Sequence, residues 1–91
     1  MKRLEDALMS HIEFFTNDKF KVLLHIYNSL DKNGVAHLTQ QEVADELGLS
    51  RMTINGIFAE LKMYDYIFQE KHVGRYRLTY GGYDAIEQIT R

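Results

Sequence analysis

"LGLSRMTINGIFAEL", residues 47–61, sets a glycine and a serine between two apolar-periodic stretches, and the reading of that break decides the fold. Gly48 suits the left-handed conformation that ends a helix within one residue, and Ser50 can cap the next helix by accepting from a free backbone N–H. Upstream, Thr39 and Glu42 have the spacing of a capping box, which predicts a helix starting near Gln40 with Val43, Ala44 and Leu47 turned inward. Downstream, Ile54, Ile57, Phe58 and Leu61 recur as the buried stripe of a helix over residues 51–63. With Leu49 plugging the corner, the break is a helix-turn-helix.

The flanking chain reads by the same rules. Leu4, Leu8, Ile12 and Phe15 trace an amphipathic helix over roughly 2–15, as core or as a dimer seam. "TND" at 16–18 caps a further helix with Phe20, Leu23, Leu24, Tyr27 and Leu30 on one face, ended by "DKNG" with Gly34 as a left-handed stop. "VAHL" at 35–38 is a short strand. After Tyr64, "YIFQE", "KHVGR" and "YRLTY" predict a hairpin with Tyr76, Leu78 and Tyr80 on one face and Arg75, Arg77 and Thr79 on the other. Thr79 caps a last helix whose apolar face is Tyr83, Ile86 and Ile89 or Thr90, with Gly81 and Gly82 weakening its first turn. The expected fold class is α+β, mainly α, in one domain over 1–91, in the order helix, helix, strand, helix, helix, hairpin, helix.

Composition bounds the function classes. A chain of 91 residues without cysteine has neither disulfides nor thiolate metal sites, which suits a reducing cytoplasm. No apolar run reaches membrane-spanning length, and "MKRLEDALMSHIEFF" carries acids where a signal peptide needs an apolar centre, so a cytoplasmic chain without a membrane partner is expected. The net charge of −2 is unevenly divided: residues 1–50 carry five Lys/Arg against eight Asp/Glu, whereas residues 51–79 carry five against three. The positive charge gathers around one helix start and one hairpin.

That distribution points to duplex DNA. A helix-turn-helix followed by a hairpin can place its second helix in a major groove and the hairpin on the flanking backbone or minor groove. Ser50, Arg51 and Thr53 stand at a helix N-terminus, where free N–H groups and the dipole favour phosphate oxygens. Arg51 offers a fork to guanine and Asn55 pairs with adenine, while Gly56 lets backbone approach closely and Lys62 reaches a phosphate. In the hairpin, Lys71, His72, Arg75 and Arg77 cluster around Gly74. Taken singly, these residues also serve as caps, stops or strand-edge charges; their joint occurrence favours binding. His11, His25, His37 and His72 are scattered without ligand spacing, no phosphate loop or nucleophile elbow occurs, and neither enzyme, metal nor cofactor is expected.

"LTQQEVADELGLSRMTINGIFAELKMYDYI" followed by "VGRYRLTYGGYDAIE" resembles the winged helix-turn-helix superfamily that includes MarR-like small bacterial regulators. "FKVLLHIYNSL" before the strand and "VGRYRLT" entering a short last helix are more narrowly similar to TubR-type plasmid centromere-binding proteins. This resemblance implies a homodimer that coats repeated DNA sites, links them to a tubulin-like GTPase filament and represses its own operon. It carries the recognition-helix and wing roles onto Ser50, Arg51, Thr53, Asn55, Lys71 and Arg75. The seam of such a dimer is expected from Leu4, Leu8, Ile12, Phe15, Tyr83 and Ile86. Gly56, Ala59 and Met63 suggest a different use of the recognition helix, as a close-packing face for a second helix. The rival readings are an ordinary transcriptional repressor and a winged helix used only for protein contacts.

Overall fold

The hydroxyls of Thr39, Ser50 and Thr79 cap helix starts in this chain, whereas Thr16, at the start of the expected "TND" cap, makes no side-chain cap hydrogen bond. The computed structural model describes residues 14–71 and 74–90. Among these residues are helices α1 (Asn17–Asn28), α2 (Gln40–Leu47), α3 (Arg51–Met63) and α4 (Tyr80–Thr90), and strands β1 (Ala36–His37), β2 (Ile67–Gln69) and β3 (Arg75–Leu78). The fold is α+β and mainly helical, with one antiparallel sheet in the order β1-β3-β2. The expected helix over 2–15 lies outside the described residues apart from its last two positions, and so do Leu4, Leu8, Ile12 and His72.

The central pair of helices follows the local chemistry. The Thr39 hydroxyl accepts from the Glu42 N–H at 3.1 Å and starts α2. Gly48, at φ 67°, ends it. The Ser50 hydroxyl then accepts from the Thr53 N–H at 3.0 Å and starts α3 after a turn of three residues. At its far end α3 closes without glycine: Tyr66 N–H donates to the Leu61 carbonyl at 2.8 Å and Asp65 N–H to the Lys62 carbonyl at 3.2 Å. This paired Schellman arrangement holds Asp65 at φ 64°.

The α1 helix departs from expectation by stopping at Asn28. Ser29 donates from both its hydroxyl and its N–H to the His25 carbonyl, and Leu30 leaves the helix to bridge Ala36. Gly34, at φ 78°, therefore serves the turn before β1 rather than a helix end. Asp31 organises that turn, its Oδ1 accepting from the N–H groups of Asn33 at 2.8 Å and Val35 at 3.0 Å. A short acidic side chain that bonds its own backbone two and four residues on competes with helix continuation.

The core is built from Val22, Leu23 and Ile26 of α1, Val43 of α2, Ile54, Phe58 and Leu61 of α3, and Ile67 of β2, all fully buried. On α1 the buried face centres on Ile26 instead of Tyr27, which is half-exposed. The α1 helix packs against α2, α3, β3 and α4, and apolar residues cover so much of its circumference that its neighbours decide the face. The hairpin register pairs Ile67 with Leu78 and Gln69 with Tyr76, so Tyr76 and Leu78 face inward as the alternation predicts. The Tyr76 ring meets Phe58 edge-on at 5.0 Å between centroids. Burying a side chain the size of Phe58 is worth about 2–3 kcal/mol.

Three expectations at the end of the chain are corrected. Tyr80 is not on the core face of β3: the strand stops at Leu78, the Thr79 hydroxyl accepts from the Gly82 N–H at 3.1 Å, and Tyr80 opens α4 with 96 % of its surface exposed. The buried side of α4 is Gly82, Ala85 and Ile86, with Tyr83 44 % exposed and its ring edge-on to Tyr27. Ile86 is thus core of its own chain and not a seam residue, because α4 turns it toward the cluster that holds Leu78 and Tyr66. Phe15 is likewise drawn inward, half-buried against Phe14, Phe20 and Tyr66.

Candidate nucleic-acid interface

The turn between α2 and α3 is short and α3 is capped by a side chain, so the first residues of α3 are presented together. Ser50, Arg51, Thr53, Asn55, Gly56 and Lys62 are all exposed. The first turn of α3 contains no acidic residue, so the partial positive charge of the helix N-terminus is not cancelled there. The Ser50 hydroxyl also donates to Thr53 Oγ1 at 2.8 Å, and an accepting hydroxyl keeps its own hydrogen for donation.

Arg51 leans toward α2, donating from Nη1 to Gln41 Oε1 at 3.2 Å. With Asn55 it borders a groove of about 380 Å³ whose remaining walls are Thr39, Gln40, Gln69, Gly74 and Tyr76. The groove therefore runs between the start of α2, the first half of α3 and the outer end of the hairpin. Its lining carries donors and acceptors from three separate elements. Lys62, at the other end of α3, reaches toward β2 with Nζ 3.5 Å from Gln69 Oε1.

The hairpin divides its cations. Arg75 and Lys71 are exposed. Arg77 is half-buried and engaged: Nη1 donates to the Asn33 carbonyl at 2.9 Å and Nε lies 3.3 Å from Glu70 Oε1. Its guanidinium ties β3 to the turn before β1, so Arg77, expected among the DNA-facing charges, has partners within its own chain. At the base of the tip, Gly74 takes φ 83° and its carbonyl accepts from the Leu38 N–H at 2.9 Å, anchoring the hairpin to the end of β1.

Sequence reasoning missed the groove's polar walls. Gln40 and Gln41 carry no motif, and their place beside Arg51 arises from the angle between α2 and α3. Gln69 had a signal in the strand alternation: it shares the face of Ile67, but lies further out, where that face has left the core.

Among the described residues, no helix is long and apolar enough to cross a membrane, and no group of three or more His, Cys, Asp or Glu side chains could hold a metal ion. No protein-family model, curated protein or solved structure matches the chain.

Proposed function

We propose that this chain is a sequence-specific double-stranded DNA-binding protein of winged helix-turn-helix type, without catalytic activity. The observation that carries the reading is the polar groove flanked by the start of α3, whose first turn holds no acid, on one side and the hairpin on the other, with Arg51 and Asn55 in its lining and the exposed Arg75 next to Gly74 on the hairpin. B-DNA's major groove is about 12 Å wide and admits one helix. In this reading α3 enters it, Arg51 and Asn55 address base edges, the Thr53 hydroxyl, which Ser50 orients, and the N–H groups at the start of α3 hold phosphate oxygens, and Lys71 and Arg75 bind the flanking backbone.

The motif resemblance extends the proposal. It makes the active form a homodimer that coats repeated plasmid sites, presents them to a tubulin-like GTPase filament and represses its own operon. The exposed face of α3 has only Arg51 and Lys62 as cations, which favours cooperative binding at clustered sites over tight binding at one. An ordinary repressor is the rival within DNA binding, and an adjacent tubulin-like gene distinguishes the two.

A second reading has its own observation. Met52 and Met63 are 85 % and 74 % exposed, and Gly56 and Ala59 stand between them on the same side of α3, with open space around Gly56. A stripe of two flexible apolar ends and a small centre fits close packing against a helix of a second copy. Gly56→Leu separates the uses: normal dimerisation together with normal DNA binding removes Gly56 from both.

The test is a titration of the protein against its own upstream DNA and a scrambled duplex at two salt concentrations. The expected result is preferential binding to the upstream repeats that weakens steeply with salt and is reduced by Arg51→Ala and by Arg75→Ala. Equal, negligible binding to both duplexes overturns the reading in favour of a fold used for protein contacts.

A further inference from the structure

We infer that Gln41 is a specificity-determining positioning residue, which holds the Arg51 guanidinium in place over the groove; this rests on the DNA reading above. Two hydrogen bonds carry it. Arg51 Nη1 donates to Gln41 Oε1 at 3.2 Å, and Gln41 Nε2 donates to Asp45 Oδ1 at 2.9 Å. Gln41 and Asp45 stand four residues apart on α2 and so share a face, while Arg51 begins α3.

The chemistry of the partners fixes which way the amide points. A guanidinium only donates and a carboxylate only accepts, so the oxygen end must face Arg51 and the nitrogen end must face Asp45. Asp45 orients Gln41, and Gln41 orients Arg51. The link is neutral at its middle, which distinguishes it from a direct ion pair. A carboxylate at position 41 would hold Arg51 equally well and cancel its charge toward a phosphate or base, whereas an amide restrains the side chain and leaves the cation intact. Arginine has five N–H donors, so one spent on Gln41 leaves a fork for a guanine edge. Restraining a long side chain before binding removes part of the ordering cost that association would otherwise meet.

Because the restraint concerns geometry and not charge, it affects discrimination and leaves the salt dependence alone. The experiment uses the full chain, the duplex that the wild-type protein enriches from a random-sequence pool, and a shuffled duplex of the same composition. Gln41→Ala is expected to weaken the enriched duplex about five-fold, with the shuffled duplex and the salt slope unchanged. In an Arg51→Ala background, Gln41→Ala is expected to have no further effect. Gln41 is exposed, so the melting midpoint of Gln41→Ala is expected to match the wild type. Asp45→Asn, which keeps an acceptor oxygen for Gln41, is expected to retain discrimination, and Asp45→Ala to lose part of it.

Equal weakening of both duplexes by Gln41→Ala, or the same loss with and without Arg51, overturns the positioning role while DNA binding stands. A wild-type protein that enriches no duplex overturns the DNA reading and this inference with it.

Discussion

The first turn of α4 rests on the carbonyl oxygen of Tyr66 so closely that a methyl group on Gly82 would overlap it and press on Leu78. The same oxygen accepts from the Thr79 N–H at 3.1 Å, so the backbone there is held and cannot retreat. Gly82→Ala is therefore expected to destabilise the fold by about 3 kcal/mol, seen as a fall in melting midpoint of more than about 10 °C. A change of less than about 3 °C would show that α4 is free to shift.

Two left-handed positions make opposite predictions. Gly48 has open space around its α-carbon, so Gly48→Ala meets backbone strain alone and is expected to cost about 1 kcal/mol. Asp65 already bears such strain at φ 64°, and Asp65→Gly is expected to stabilise by about 0.5 kcal/mol. Chemical denaturation of both variants checks the pair of signs.

Arg75 and Arg77 are two residues apart on one strand and are expected to behave differently. Arg77→Ala removes a charge-assisted donor from the Asn33 carbonyl and should cost about 1 kcal/mol of stability. Arg75→Ala should leave stability within about 0.5 kcal/mol and reduce the slope of log affinity against log salt by about 1. Denaturation and DNA titration of the same two proteins test both statements; a loss of stability in Arg75→Ala with none in Arg77→Ala reverses the assignment.

The turn before β1 should respond to acid. The Asp31 carboxyl is held below the usual carboxylate range chiefly by the N–H of Val35, helped by the N–H of Asn33 and by His37, whose Nε2 lies 3.1 Å away, and opposed by desolvation. A carboxyl lowered on folding contributes stability above its unfolded pKa of about 3.9, and that contribution is lost as pH falls through the lower folded value. NMR titration of Asp31 is expected to give a midpoint below that of an unstructured peptide. The stability gap between wild type and Asp31→Asn should narrow below about pH 4; a gap that widens in acid contradicts the assignment.

Much of the architecture was legible because its causes are local. Thr39, Gly48 and Ser50 act within four residues of where they stand, and they bound α2 and the start of α3 where the sequence places them. The alternation of Tyr76 with Arg75 and Arg77 likewise predicts which face of β3 is buried, since a strand turns its side chains out and in by geometry alone. The early end of α1 was missed because Asp31 and Ser29 compete with the helix through side-chain hydrogen bonds that apolar periodicity does not register.

What stayed open was whatever depends on residues far apart in the chain. The position of Ile26 at the centre of the buried face of α1, the fit of Gly82 against Tyr66, the bond from Arg77 to Asn33 and the bond from Arg51 to Gln41 each require two elements to meet at a particular angle and distance. Caps, stops and alternation express the conformational preferences of single residues and can be read one stretch at a time. Which surfaces touch follows from packing all the elements at once, where a change of one angle alters every contact.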